Sequence, residues 1–411
     1  MSSEMVRDIE LARQSVNWRA VKKLSVGLAF IGTAAFLDGA FGEGAKRVWQ
    51  AYLTNFVFWT GLSAGAFLLS PILVITNAHW GRPVKRLAEA AGTFIPVSFV
   101  LFLVLFAGRD EIFPWIAHPP HEEAKLIWLQ VPFLFLRDGF GLALLALLFL
   151  LIVRNSVNAD LELINGKGEV DEAHYRRQSV LAPVYVISYA FILTLISFDL
   201  IMSLNPEWIS TLFGAYYFVG SFYTGIAAII ILSVFAVTRM GLGKYITPKH
   251  FHDLGKLLFG FCIVGADFFY VQFLVIWYGN LPEESRYVIT RIGSDPWATL
   301  AWTVLLTCYV IPFLVLLSRG IKMVPSSIFA MSVWVLTAMW LERFLLVVPS
   351  IWKEPSIPFA FTEILISAGY LGIFGFCTAW FLEKYPLMPV SDPLLMKGRE
   401  VRVEQSLEKS A

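Results

Sequence analysis

Ten apolar runs dominate this chain, near residues 24–41, 51–75, 91–107, 132–153, 181–201, 209–237, 254–278, 298–318, 325–347 and 360–381. A helix rising ~1.5 Å per residue needs about 20 residues to cross a hydrocarbon core roughly 30 Å thick. In lipid, backbone polar groups must be satisfied within the segment or a closed barrel, so runs of this length read as helices. The 411 residues are 57% apolar and 15% charged, more apolar surface than one aqueous core would hide. The reading is an all-α integral membrane protein of about ten transmembrane helices.

Charge is sparse, and its placement gives orientation. The N-terminal segment, the even-numbered connections and the C-terminal segment hold 22 of the 32 Lys and Arg residues; the odd-numbered connections hold 7. The positive-inside rule then puts both termini in the cytoplasm, in agreement with an even helix count. A net charge of +1, with no basic block, excludes nucleic acid as a partner. Cys262, Cys308 and Cys377 fall inside apolar runs far apart, without the spacing of a cluster or zinc site. His79, His118, His121, His174, His250 and His252 fall in connections or at run ends, so the facing helical histidines of a membrane b-haem are not expected.

An internal repeat organises the middle of the chain. Phe58-Trp59-Thr60-Gly61-Leu62-Ser63-Ala64 in the second run resembles Phe222-Tyr223-Thr224-Gly225-Ile226-Ala227-Ala228 in the sixth, and the same 164-residue offset superposes Glu89 on Asp253. Two runs in the same direction predict tandem four-helix bundles, helices 2–5 and 6–9, flanked by helices 1 and 10. The division expected is a cytoplasmic segment 1–23, a first helix and outer loop 24–50, bundles at 51–201 and 209–347, a tenth helix 360–381 and a cytoplasmic tail 382–411.

Ionisable residues within the runs carry the functional signal, because a charge at the bilayer centre costs ~2.5–3.5 kcal/mol on insertion scales. Asp38, Arg137, Asp138, Asp199, Glu342, Arg343 and Glu363 lie towards the outer ends; Glu89, Asp253 and Lys256 lie towards the inner ends. Matching depth predicts an Arg343–Glu363 ion pair, and an Arg137 shared by Asp38 and Asp199. Asp267, alone near the middle of the seventh run, is expected to be neutral or wetted by a cavity. With acids at both mouths it would complete a proton path, for which the candidates are Glu89, Asp253, Lys256, Asp267, Glu342, Arg343 and Glu363.

Three segments carry a family resemblance: Tyr52 to Trp80 followed by Arg82, Arg86 and Glu89; His252-Asp253-Leu254-Gly255-Lys256-Leu257-Leu258-Phe259-Gly260-Phe261; and Gln272-Phe273-Leu274-Val275-Ile276-Trp277-Tyr278-Gly279-Asn280-Leu281-Pro282-Glu283-Glu284. The chain resembles the NrfD-like (polysulfide reductase membrane subunit) family from Tyr52 to about Trp380, and within it the ActF-type subunits of alternative complex III, a quinol:cytochrome c oxidoreductase. The resemblance implies two four-helix bundles in a bacterial inner-membrane complex. It also implies a sister NrfD-like subunit, with haem c and iron-sulfur clusters in a multihaem cytochrome c and an iron-sulfur protein rather than in this chain. Quinone or quinol would meet the outer level, where Asp38, Asn55, Arg137, Asp138 and Asp199 are the contact candidates, and this subunit would contribute proton translocation. Asp267 departs from the aromatic residue expected at its place in such relatives. Three other readings stay open: the anchor of a molybdopterin oxidoreductase, a secondary transporter, and a structural scaffold.

Overall fold

A computed structural model of the chain describes residues 3–42, 44–165, 172–352, 354 and 356–395. Among these residues there is no strand, and ten helices are long and apolar enough to cross a membrane. The principal helices are α1 (Ser3–Gln14), α2 (Trp18–Gly39), α3 (Ala45–Ile75), α4 (Arg82–Ile112), α5 (Val131–Ile164), α6 (Glu172–Leu204), α7 (Phe213–Met240), α8 (Pro248–Gly279), α9 (Pro282–Ile292), α10 (Trp297–Leu316), α11 (Pro325–Ile351) and α12 (Phe361–Lys384). All ten apolar runs form helices, and some run on by a turn or more, as α4 does at Arg82, α5 at Ile164, α6 at Glu172 and α8 at Pro248.

The repeated segments lie at the centre. In α3, 83% of the most apolar window is buried, and in α7 78%; α3 packs against α4, α6, α7, α11 and α12. Small residues let α3 and α7 touch backbone to backbone. A Cβ on Gly65 would stand 2.1 Å from the Ser221 carbonyl oxygen, and one on Gly225 would stand 2.2 Å from the Ala66 nitrogen. Gly61 and Gly65 on one helix face Ser221 and Gly225 on the other, each pair four residues apart, the spacing that brings membrane helices into close contact. Tyr217 Oη adds a hydrogen bond to the Val57 carbonyl at 2.7 Å. The recurring Thr-Gly is therefore a packing device at the contact between α3 and α7.

The helices outside the repeat form a second close pair. Gly32 on α2 would place a Cβ 2.3 Å from the Gly369 Cα on α12. The rest of α2 is largely exposed, with 17% of its window buried.

Both terminal segments are more structured than the polar tails expected from sequence. Met5, Ile9 and Ala12 of α1 are buried one turn apart. On the polar side, Lys244 Nζ lies 2.6 Å from Glu4 and 3.1 Å from Asp8, hydrogen bonds that push its pKa up to about 12. Of the expected tail 382–411, residues up to 395 fold back over the N-terminal ends of α4 and α6 and the C-terminal end of α5, with Leu387, Met388 and Val390 buried; residues 396–411 lie outside the described ones.

Candidate functional site

A cavity of about 110 Å³ opens among α7, α8, α9, α10 and α11. Its walls are mostly aromatic and aliphatic, with the exposed side chains of Phe269, Phe273 and Ile292 at the rim. The polar groups are few and convergent, as in small-molecule sites generally. Glu342 of α11 and Tyr216 of α7 reach it from one side and Tyr309 of α10 from another.

Local backbone geometry places Tyr309. Pro312 has no N–H, so it cannot bond the carbonyl four residues before it, that of Cys308. There α10 widens into a π turn over Leu306–Val310. The freed carbonyls find other donors: Tyr223 Oη lies 3.4 Å from the Cys308 oxygen, and Cys262 Sγ lies 3.5 Å from that of Tyr309. Such bulges recur at functional sites because they turn one side chain away from the regular helical face.

The hydroxyls form a relay. Tyr309 Oη donates to Tyr216 Oη at 3.1 Å, and Tyr216 Oη donates to Glu342 Oε1. Arg343 stands behind the carboxylate, with Nη1 2.9 Å from Glu342 Oε2. That approach lies outside hydrogen-bond geometry, so Oε2 retains an unused lone pair. Arg343 is itself buried, over the Tyr217 ring at 4.6 Å, and Gly220 leaves room for it: a Cβ there would stand 2.9 Å from Nη2. Glu342 is 2% exposed, and its carboxyl group meets one arginine and one phenol.

The short helix α9 roofs the cavity. Arg291 bonds the Leu345 and Leu346 carbonyls at 3.1 and 2.8 Å and Ser350 Oγ at 2.7 Å, which ties α9 to α11. Its guanidinium lies 3.6 Å above the Tyr287 ring, which stacks on Trp208 at 3.6 Å. Burial pushes the Tyr287 phenol upward, so it remains a neutral donor; burial lowers Arg291, which as an arginine stays charged. Tyr287 Oη and Trp208 Nε1 are both buried and have no partner among the described residues. Two unspent donors, one unspent carboxylate oxygen and aromatic walls suit a flat ring bearing oxygens.

Two further buried ionic groups flank the molecule. Where the N-terminal ends of α4 and α6 meet the C-terminal end of α5, Arg86 bonds both Glu89 and Asp160, and Arg82 bonds Asp392 at 2.7 Å with Lys85 3.6 Å from the same carboxylate. Ser391 closes Asp160 through its N–H at 2.8 Å and its Oγ at 2.6 Å, while Ser70 and Ser156 donate to Glu89. Towards the other end, Arg137 bonds Asp199 at 2.6 and 2.9 Å beneath the Trp128 ring, and Trp128 Nε1 donates to Asp199 at 2.8 Å. Asp138 is 1% exposed, with neither oxygen hydrogen-bonded among the described residues.

Several sequence expectations change. Arg343 pairs with Glu342, the residue before it, and not with Glu363. Glu363 is held by Arg47, with Nη2 donating at 2.7 Å, and accepts the Ala360 N–H at 2.8 Å. Equal depth had left open which way each side chain points around its helix. Arg137 does take Asp199, but Asp38 is exposed on α2 and stays outside that group. Asn55 is occupied by Trp340 Nε1 at 3.0 Å and the Ala51 carbonyl at 2.9 Å, a link between α3 and α11. Asp253 pairs with the exposed Lys256 at 2.7 Å, so its environment is unlike that of the fully buried Glu89. Asp267 lies on the exposed side of α8, not in a wetted interior.

Of the proton-path candidates, the structure brings together Glu342 and Arg343 alone at the cavity. Tyr216, Tyr309, Tyr287, Trp208 and Arg291 were missed by sequence reasoning. Tyrosines inside apolar runs and the Ile311-Pro312 step were the available signals.

Ten membrane-length helices around buried ionic clusters define a polytopic helical membrane protein. The family described as Polysulphide reductase, NrfD matches residues 40–353, more than half of the chain, and the chain belongs to that family. No curated protein matches it.

Proposed function

We propose that this chain is the quinone-interacting membrane subunit of a respiratory oxidoreductase and that the Glu342 cavity takes the quinone headgroup. The observation that carries the reading is Glu342 itself: a buried carboxylate, with one oxygen free of hydrogen bonds, in an aromatic cavity and joined to two phenols. This site replaces Asp38, Asn55, Arg137, Asp138 and Asp199 as the proposed contact, since Asn55 and Asp199 are committed to protein partners and Asp38 lies outside.

A quinol held there supplies two electrons and two protons. Glu342 Oε2 accepts one proton, releases it to water and, ionised again, accepts the second, since a base must lie within hydrogen-bond reach of the group it serves. Arg343, with Nη1 2.9 Å from Oε2, offsets part of the cost of a buried carboxylate charge and holds the side chain in place. Tyr287 Oη and Trp208 Nε1 are donors for ring oxygens, and the Tyr287 and Trp208 rings shield the site from water. Tyr309 and Tyr216, donating in sequence towards Glu342 Oε1, hold that oxygen and leave Oε2 to the ring. Electrons leave for redox groups in neighbouring subunits.

The finer assignment is to the quinol:cytochrome c type known as alternative complex III, in a bacterial inner membrane with both termini cytoplasmic. A sister subunit, a multihaem cytochrome c and an iron-sulfur protein would be the partners, and the two halves of the chain would be tandem four-helix bundles. The resemblance over Gln272–Glu284 and the 22-to-7 bias in Lys and Arg support this version.

The test is gentle purification from the native membrane followed by quinol oxidation with the Glu342→Gln variant. Redox subunits should accompany the chain, and the variant should keep them while quinol turnover falls at least ~100-fold, the lower range for loss of a general base. A chain that purifies without redox subunits refutes the family of readings. Full turnover in Glu342→Gln refutes the site.

A further inference from the structure

Asp267 is a carboxylate on the outside of α8, near the middle of a 32-residue helix. Among the described residues it meets neither a hydrogen-bond donor nor a cation. The helix buries Leu254, Leu258 and Cys262 on its other side, and at about 100° per residue Asp267 stands about 180° around from Leu258. Only 17% of the apolar window of α8 is covered by the rest of the protein.

The uncovered side has a defined pattern. Gly260, Ile263, Asp267, Tyr270, Leu274 and Trp277 follow one another at alternating steps of three and four residues, the seam spacing of a left-handed helix pair. Ile263, Tyr270 and Trp277 are 42%, 58% and 65% exposed. A Cβ on Gly260 would meet nothing within 4 Å, so a second backbone has room to approach there.

Lipid tails offer the carboxylate no donor. Its short side chain, twelve residues from the end of α8, lies about 18 Å from that end and is out of reach of headgroups. A second copy of this chain docked by the same face would present another carboxylate. The chemistry missing from the seam is a donor, and intramembrane acids characteristically pair with one across a helix interface.

We propose that this seam docks one transmembrane helix of a different subunit, bearing a cationic, amide or hydroxyl side chain level with Asp267. The proposal rests on the reading of the chain as part of a larger complex. The paired polar residues set the register of the two helices, as a single polar seam position does in coiled coils. Asp267 is thereby a contact residue between subunits and not a proton relay.

The test uses the complex purified from its native membrane with a benzoylphenylalanine in place of Tyr270. Illumination should join it to an apolar segment of another polypeptide that carries Lys, Arg, His, Asn, Gln, Ser or Thr within one turn of the crosslink. Asp267→Leu and Gly260→Leu should each lower the amount of that subunit retained per chain by about three- to tenfold, the range of measured interhelical polar contacts. Gly260→Leu fills open space, so the chain should keep its own gel-filtration profile, and Asp267→Asn should lose less than Asp267→Leu. Crosslinks confined to lipid, to this chain or to a second copy overturn the proposal, as does undiminished retention in both Leu variants. In those cases the other redox subunits still accompany the chain and the proposed function stands, whereas a wild-type chain that purifies alone overturns both.

Discussion

Replacing Arg86 with methionine gives a quantitative test of how the N-terminal ends of α4 and α6 and the C-terminal end of α5 are held together. The buried group contains three cations, Arg82, Lys85 and Arg86, and three carboxylates, Glu89, Asp160 and Asp392. It is balanced, and each of the six side chains is at most 5% exposed. Arg86→Met leaves Glu89 and Asp160 with serine hydroxyls and one backbone N–H, and the group with one uncompensated negative charge. Breaking a buried pair on one side costs about 3–5 kcal/mol, a shift of roughly two to three and a half powers of ten in the folding equilibrium. Restoring the balance with Arg86→Met/Asp160→Asn should recover more than half of that loss. The assay is denaturant unfolding of the purified protein in detergent, followed by tryptophan fluorescence. A single variant as stable as the wild type, or a double variant that loses the sum of its two single changes, would refute the argument.

Two further outcomes follow from the geometry. Gly225→Leu drives a side chain into the Ala66 backbone, 2.2 Å from the ideal Cβ, and should cost about 3 kcal/mol or more, read in the same unfolding assay. Tyr309→Phe removes the outer hydroxyl of the chain that holds Glu342 but keeps the π turn and the ring; quinol turnover should fall about tenfold, less than the ~100-fold or more for loss of the base itself, with unfolding unchanged.

The spans were legible because lipid imposes one rule on every residue of a run, and length with apolarity is enough to apply it. The Thr-Gly repeat was legible as sequence, and the structure gives it a physical meaning, the close contact of α3 with α7 at Gly65 and Gly225. Pairing was less accessible. Depth along an axis is a sum over residues, but which neighbour a side chain faces depends on rotation about the axis. Arg343 and Glu363 therefore matched in depth and found other partners. The exposed position of Asp267 was within reach of helical periodicity, since the buried Leu254, Leu258 and Cys262 set the opposite face. Tyr309 was harder, because a π turn shifts every later residue around the helix and its sole local signal was Pro312. The folding back of residues 385–395 depends on Ser391 and Asp392 finding Asp160 and Arg82, more than 200 residues away, which no local pattern encodes.

A quinone headgroup is proposed to occupy the cavity beside Glu342. The most direct measurement is photolabelling of the native complex with an azido-quinone whose reactive group is on the ring, followed by peptide mapping with and without excess unlabelled quinol. Label on peptides containing Tyr216, Tyr287, Tyr309 or Glu342, removed by the competitor and lost in Glu342→Gln, is the result the account predicts. Competitor-sensitive label confined to α2, α4 and α5, around Asp38, Arg137 and Asp138, would contradict it.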